Sequence, residues 1–184
     1  MTTTQQSYAM IFNVPGLRNS GPNHWQSHWE TSHPQLVQRI EQANWAAPEC
    51  MAWTDRLQEV LAPLPTSAVV LTGHSVGCAA IANWYGRFGQ SIRGALLVAP
   101  SDVEHPNYPS YIKGFAPLHL KKLPFRTIVV ASDNDHVVSI DRARYFAECW
   151  GSEWVVLSNA GHIEDRSGYG HWEEGWALVQ SLLG

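Results

Sequence analysis

In the stretch Ala68–Tyr85, AVVLTGHSVGCAAIANWY, glycines bracket one serine at the spacing G-x-S-x-G: Gly73-His74-Ser75-Val76-Gly77. An apolar run precedes the motif and small residues follow it. That context spells a sharp strand-to-helix turn, which would lift the Ser75 hydroxyl above the carboxyl edge of a sheet. The glycines let neighbouring backbones come close, and Ala79, Ala80 and Ala82 suit a helix packed tightly on that sheet. A serine hydroxyl is a poor nucleophile at neutral pH, so it needs a base to take its proton and a carboxylate to orient the base. Both types occur downstream, each just past an apolar run. Asp133-Asn134-Asp135-His136-Val137 follows TIVVAS, and Ser158-Asn159-Ala160-Gly161-His162 follows WVVL. The chemistry these groups could perform is attack on a carbonyl carbon, with the acyl group held transiently on the serine.

Taken alone, the pentapeptide could be a glycine-bracketed turn whose serine caps a helix. The strand before it, the helix after it and the downstream partners favour catalysis. His162 is the expected base, because it follows a glycine just past the last apolar run and precedes the final helix. The expected acid is Asp135, three residues past Ser132. Asp133 is the alternative, or a residue that caps the turn through its carboxylate. A developing oxyanion needs two backbone donors. The Val76 N–H at the helix start is one, and the Leu17 N–H in Pro15-Gly16-Leu17, after the first strand, is the candidate for the other. That tripeptide could instead be an ordinary Pro-Gly turn. His74, Trp25 and Trp29, close to these segments, are candidate pocket walls.

Other constellations are weaker. His24, His28 and His33 cluster, and two of them are four apart, but the residue after His24 is Trp25 where a zinc-hydrolase helix needs glutamate. An amphipathic, aromatic helix start explains the cluster better than a metal site. Asp133 and Asp135 lack a phosphate-cradling loop, Gly73–Gly77 lacks the P-loop lysine, and Gly168, Gly170 and Gly175 do not follow a strand in dinucleotide spacing. No metal and no cofactor is expected. Cys78, one turn past Ser75, is expected to pack rather than react.

The elements that must position these residues form an alternating series. Strands are expected at Ser7–Val14, Ala68–Thr72, Ala95–Ala99, Thr127–Ser132 and Trp154–Leu157, with a weaker sixth near Val37–Gln42. The last four of the first five are continuous apolar runs, the pattern of strands covered on both faces in a parallel sheet. Helical spacing joins Trp53, Leu57, Leu61 and Leu64. It also joins Ile140, Ala143, Phe146, Ala147 and Trp150, and then Trp172, Trp176, Val179 and Leu183. The class is α/β with a mostly parallel, doubly wound sheet. Two stretches, Pro15–Asn23 and Ser101–Phe125, read as irregular, and the second is long enough to cover a site.

The chain has 184 residues, 45% hydrophobic and 15% charged, and a formal charge of −4. One domain, residues 1–184, is the natural reading. The acidic balance gives no electrostatic reason to expect nucleic acid, and no apolar run reaches the roughly 18 residues of a membrane helix. Three widely spaced cysteines and the start MTTTQQSYAM suggest reduced thiols and a cytoplasmic protein without a secretory leader.

The stretches PGLRNSGPNHWQSHWE, GHSVGCAAIANW, ASDNDHVVSIDRA and NAGHIEDRSGYGHWEEG together resemble the small serine hydrolases of the YdeN and retinoblastoma-binding-protein-nine family. The resemblance implies a compact α/β-hydrolase fold without a large lid domain, and a Ser75, Asp135, His162 triad. It also implies hydrolysis of small esters or amides, so the expected partner is a small-molecule ester or amide, or a short peptide. The human relative's tumour-suppressor partner is recognised through L-x-C-x-E, which this sequence lacks, so that interaction is not expected. The competing reading is a binding protein on a hydrolase scaffold with a vestigial or slow triad.

Overall fold

A computed structural model describes residues 10–184. Six strands, β1 (Met10–Val14), β2 (Val37–Arg39), β3 (Val69–His74), β4 (Gly94–Val98), β5 (Arg126–Ser132) and β6 (Glu153–Leu157), form one sheet in the order β2-β1-β3-β4-β5-β6. Every pairing is parallel. Five helices connect or cover them: α1 (Trp25–Ser32), α2 (Cys50–Leu61), α3 (Val76–Phe88), α4 (Ile140–Trp150) and α5 (Glu173–Leu183).

The continuous apolar runs read from the sequence become the buried strands, and their side chains alternate between two layers. Val69, Leu71, Ala95, Leu97, Val129 and Ala131 join the layer that contains α2, α3 and α4. Val70, Leu96, Val98, Ile128 and Val130 join the layer that contains α1 and α5. Each fully buried valine or leucine contributes about 1.5–3 kcal/mol relative to exposure. The site stands at the carboxyl edge of strands whose cores are sealed on both faces.

Several boundaries differ from the expected ones for local reasons. Ser7–Ala9 of the expected first strand lie outside the described residues. Ala68 falls in a short 3₁₀ turn, Thr66–Ala68, so β3 starts at Val69 and runs on to His74. The edge strand β2 stops at Arg39, and the Ile40 N–H still reaches the Asn13 carbonyl at 3.0 Å. Leu64 lies beyond α2, which ends at Leu61. Ser139 starts α4 by accepting the Arg142 N–H at 3.3 Å, and Gly151 ends it with φ +71°. Among the described residues no helix is long and apolar enough to cross a membrane.

Candidate active site

Ser75 occupies the turn between β3 and α3 with φ +56° and ψ −123°, a conformation that L residues rarely adopt. Its N–H donates to the Val98 carbonyl at 3.0 Å, and its carbonyl accepts the Cys78 N–H at 3.0 Å. The glycines of the motif have steric causes. A Cβ on Gly77 would collide with the carbonyl oxygens of Val14 and Pro15, and one on Gly73 would press on Ile81 and the Cys78 backbone. Those contacts seat α3 directly behind the serine. The Val76 N–H there belongs to the donors that a helix start leaves unpaired by its own backbone.

The loop after β1 comes up against Ser75 at Gly16, where a Cβ would lie 2.9 Å from the Ser75 Cβ. Leu17 follows immediately and lines the same cavity as Ser75. Arg18 and Asn19 then turn with φ +64° and +66°. Arg39 anchors this turn through Asn19 Oδ1 at 2.8 Å and the Ser20 carbonyl at 2.9 Å, while its Nε and Nη2 grip the Glu30 carboxylate at 2.9 Å each.

His162 and Asp135 meet at 2.8 Å between Nδ1 and Oδ2, and both side chains are buried. The other Asp135 oxygen accepts the Val137 N–H at 2.8 Å. A carboxylate oxygen that accepts this bond fixes the ring by its Nδ1 side, and Nε2 is the ring nitrogen it leaves unengaged. The alternative acid, Asp133, is engaged elsewhere and accepts the Asn159 N–H at 2.7 Å. Its neighbours do similar work: Ser132 Oγ accepts the Ala160 N–H at 2.9 Å and Asn134 Oδ1 the Gly161 N–H at 2.7 Å. Four consecutive residues, the last of β5 and the three after it, thus hold four consecutive residues after β6, and the last pair is Asp135 with His162.

Two further contacts hold the main chain at His162 and Ile163 from below. His74 Nε2 donates to the His162 carbonyl at 2.9 Å, and Trp25 Nε1 donates to the Ile163 carbonyl at 3.0 Å. Burial drives the His74 imidazole well below its ordinary value. The same desolvation, helped by the Arg39 charge, brings His24 down to about 3. Both rings are therefore neutral at physiological pH.

A cavity of about 910 Å³ contains Ser75, His162, Asp135, His74 and Leu17. Tyr108, Ile112 and Val137 give it an apolar side, supplied partly by the long segment after β4. Trp25 and Trp29 correct the expectation: neither lines this cavity. They pack in the core on the α1–α5 face, 4.5 Å apart, with Trp172 5.6 Å from Trp25. Their spacing of four marks the buried side of α1 rather than a pocket wall.

The three clustered histidines have separate structural tasks. His24 caps α1 by accepting the Gln26 N–H, His28 lies 4.1 Å from His171, and His33 stacks on Trp176 at 4.2 Å. Among the described residues no group of three or more His, Cys, Asp or Glu side chains could hold a metal ion. Cys78 is fully buried, and burial raises its thiol far above the usual range, so it packs as expected. Sequence reasoning missed Ser101, whose Oγ lies 2.8 Å from Ser75 Oγ, and Asp102, which pairs with Arg142. Their position just past the apolar run ALLVA was the available signal.

Comparison with known proteins gives the family and the fold. The profile of the serine hydrolase family matches residues 11–181. A protein described as a YdeN-like hydrolase from Pectobacterium atrosepticum is 34% identical and superposes with a TM-score of 0.83, covering 96% of this chain and 91% of its own. The ydeN gene product of Bacillus subtilis is 18% identical with a TM-score of 0.73, covering 95% of this chain and 98% of its own. The B. subtilis carboxylesterase CesB (YbfK) is 14% identical with a TM-score of 0.65, covering 97% and 84%. The two B. subtilis likenesses speak for the α/β-hydrolase fold alone. No curated protein matches the sequence.

Proposed function

The chain belongs to the serine hydrolase family, and from that premise we propose that it cleaves small carboxylic esters or amides through an acyl-enzyme on Ser75. The observation that carries this reading is the buried 2.8 Å contact of His162 with Asp135, in the cavity that Ser75 enters on its strained turn. In the reaction His162 Nε2 takes the Ser75 proton as Oγ attacks the substrate carbonyl. Asp135 keeps Nδ1 protonated and stabilises the imidazolium that forms. The N–H groups of Val76 and Leu17 receive the oxyanion. The imidazolium then returns its proton to the leaving alkoxide or amine. A water activated by the same histidine releases the acyl group and regenerates Ser75.

Each of these tasks falls to a group of the chain itself. The apolar side formed by Tyr108, Ile112 and Val137 supports short acyl chains or an aromatic leaving group, either on a small ester or amide or on a short peptide. The test is labelling of the purified protein and of Ser75→Ala with a fluorescent fluorophosphonate, together with hydrolysis of small activated esters. Wild type should label and turn over, and Ser75→Ala should do neither while keeping its fold. A folded wild type that does not label would overturn the reading in favour of a binding protein on this scaffold.

A further inference from the structure

β4 ends at Val98, and the chain turns at Ala99 with φ +48° before Pro100. That left-handed step, unusual for a residue with a Cβ, brings Ser101 back over β3 rather than away from it. The Ser101 N–H donates to the Ser75 carbonyl at 3.3 Å, and the two hydroxyl oxygens lie 2.8 Å apart. The hydrogen-bond partner of the nucleophile at rest is thus Ser101, which is buried, rather than His162. The next residue is locked as well, because Arg142 grips Asp102 through Nε at 3.0 Å and Nη2 at 2.9 Å. Asp102 pairs with Arg142 across to α4, so Ser101 has little freedom to drift from Ser75.

The segment after β4 supplies one more hydroxyl. Tyr108 lines the same cavity as Ser101, and burial pushes its phenol up to about 12, so it stays protonated. A hydroxyl has one proton to give. Either hydroxyl could donate in the Ser75–Ser101 pair, and only donation by Ser101 to Ser75 Oγ leaves the Ser75 proton for His162. On the reading of Ser75 as nucleophile, we infer that Ser101, held beside it by the turn at Ala99 and by the Asp102–Arg142 pair, is a positioning residue of the reaction. It orients the Ser75 hydroxyl toward His162 and strengthens its own hydrogen bond as that oxygen gives up its proton. No proton leaves Ser101: the Ser75 proton passes to His162 Nε2, and the Ser101 O–H donates first to a hydroxyl and then to an oxygen gaining negative charge. Bonds of that second kind are the stronger ones, so the contact favours the transition state over the resting enzyme.

The experiment is the concentration dependence of fluorophosphonate labelling, which separates the limiting rate from the affinity of the probe. It uses wild type, Ser101→Ala, Ser101→Thr and Ser101→Cys, with Ser75→Ala as the blank. Ser101→Ala should lower the limiting rate on the order of ten- to a hundredfold, the loss of one charge-assisted hydrogen bond, and leave the probe affinity near wild type. Ser101→Thr, which restores the hydroxyl, should recover most of that rate. Ser101→Cys keeps the size of the side chain but offers only a weak donor, and should lose about threefold to tenfold. A folded Ser101→Ala that labels at the wild-type limiting rate would overturn the inference, as would a loss confined to affinity. Should Ser101→Ala fail to fold, an unchanged limiting rate in Ser101→Cys overturns it instead. Absence of Ser75-dependent labelling in wild type is a different result, because it removes the nucleophile itself.

Discussion

Ser75 rests against the face of the sheet covered by α3, whereas His162 rests on the opposite face, above α1 and α5. On the first face the packing residues are small. Gly77, Ala79, Ala80 and Ala82 bring the helix backbone close to the sheet, and the nucleophile is fixed by main-chain geometry. On the second face they are large: Trp25, Trp29 and Trp172 fill the space, and the base is fixed by hydrogen bonds laid over that aromatic layer. The difference teaches where each half is vulnerable. The nucleophile depends on close approach that any added atom would block. The base depends on a polar lattice and on the bulk that supports it.

The sharpest way to break the base half is to spoil its polar contact while leaving the bulk alone. Asp135→Asn keeps the size of the side chain but offers an amide to His162 Nδ1, which favours the wrong tautomer. Turnover should fall on the order of ten thousandfold with the fold unchanged. Asp133→Asn is the matched control. Its partner is the Asn159 backbone, so the ester hydrolysis rate should stay close to wild type. Equal losses in the two variants would mean that the acid had been assigned to the wrong carboxylate.

Removing the bulk should produce the complementary result. Trp25 is fully buried and donates to the Ile163 carbonyl beside the base. Trp25→Ala should destabilise the fold by about 3–5 kcal/mol, read from the urea midpoint. Turnover should drop in whatever fraction remains folded, because the main chain next to His162 loses its support. A variant of nearly wild-type stability would show that the aromatic layer is dispensable and that the polar lattice alone seats the base.

The same contrast explains what could be read from the amino-acid order. The strands were legible because their covered faces demand unbroken runs such as AVVLT and ALLVA. The nucleophile turn was legible because its glycines meet local steric demands. Asp135 and His162 were legible as residues just past apolar runs, although both carboxylates after TIVVAS met that description until the contact with His162 separated them. Trp25 and Trp29 were placed on the pocket wall because an aromatic near a site loop looks the same in sequence whether its ring points at solvent or at the core. Their burial depends on Trp172, almost at the other end of the chain. Ser101 escaped notice because its place just past ALLVA says nothing of the left-handed turn at Ala99 that brings it to Ser75. The pairing of Ser132, Asp133 and Asn134 with the loop after β6 escaped for the same reason: it exists only once β5 and β6 lie side by side.

Acid should separate the two halves without any substitution. His24 caps α1, the helix whose Trp25 supports the base, and His74 holds the His162 carbonyl. Both are buried and neutral, and both have folded-state values below those of the unfolded chain. Between the two values the unfolded chain binds a proton that the folded chain refuses, so stability falls as pH drops below the ordinary imidazole range. For His24, with a folded value of about 3, the loss is about 1.4 kcal/mol per pH unit, or ~2 kcal/mol on going from pH 6.5 to 5. His74 adds to it with the same sign. Urea unfolding followed across this range should show the loss directly. His24→Asn retains a side chain able to cap α1 but removes the titrating group, so its stability should vary less steeply with pH. A wild-type midpoint that is flat from pH 6.5 to 5 would mean that these imidazoles accept protons in the folded state. The α1 side would then be a wetter and looser support for the base than its packing indicates.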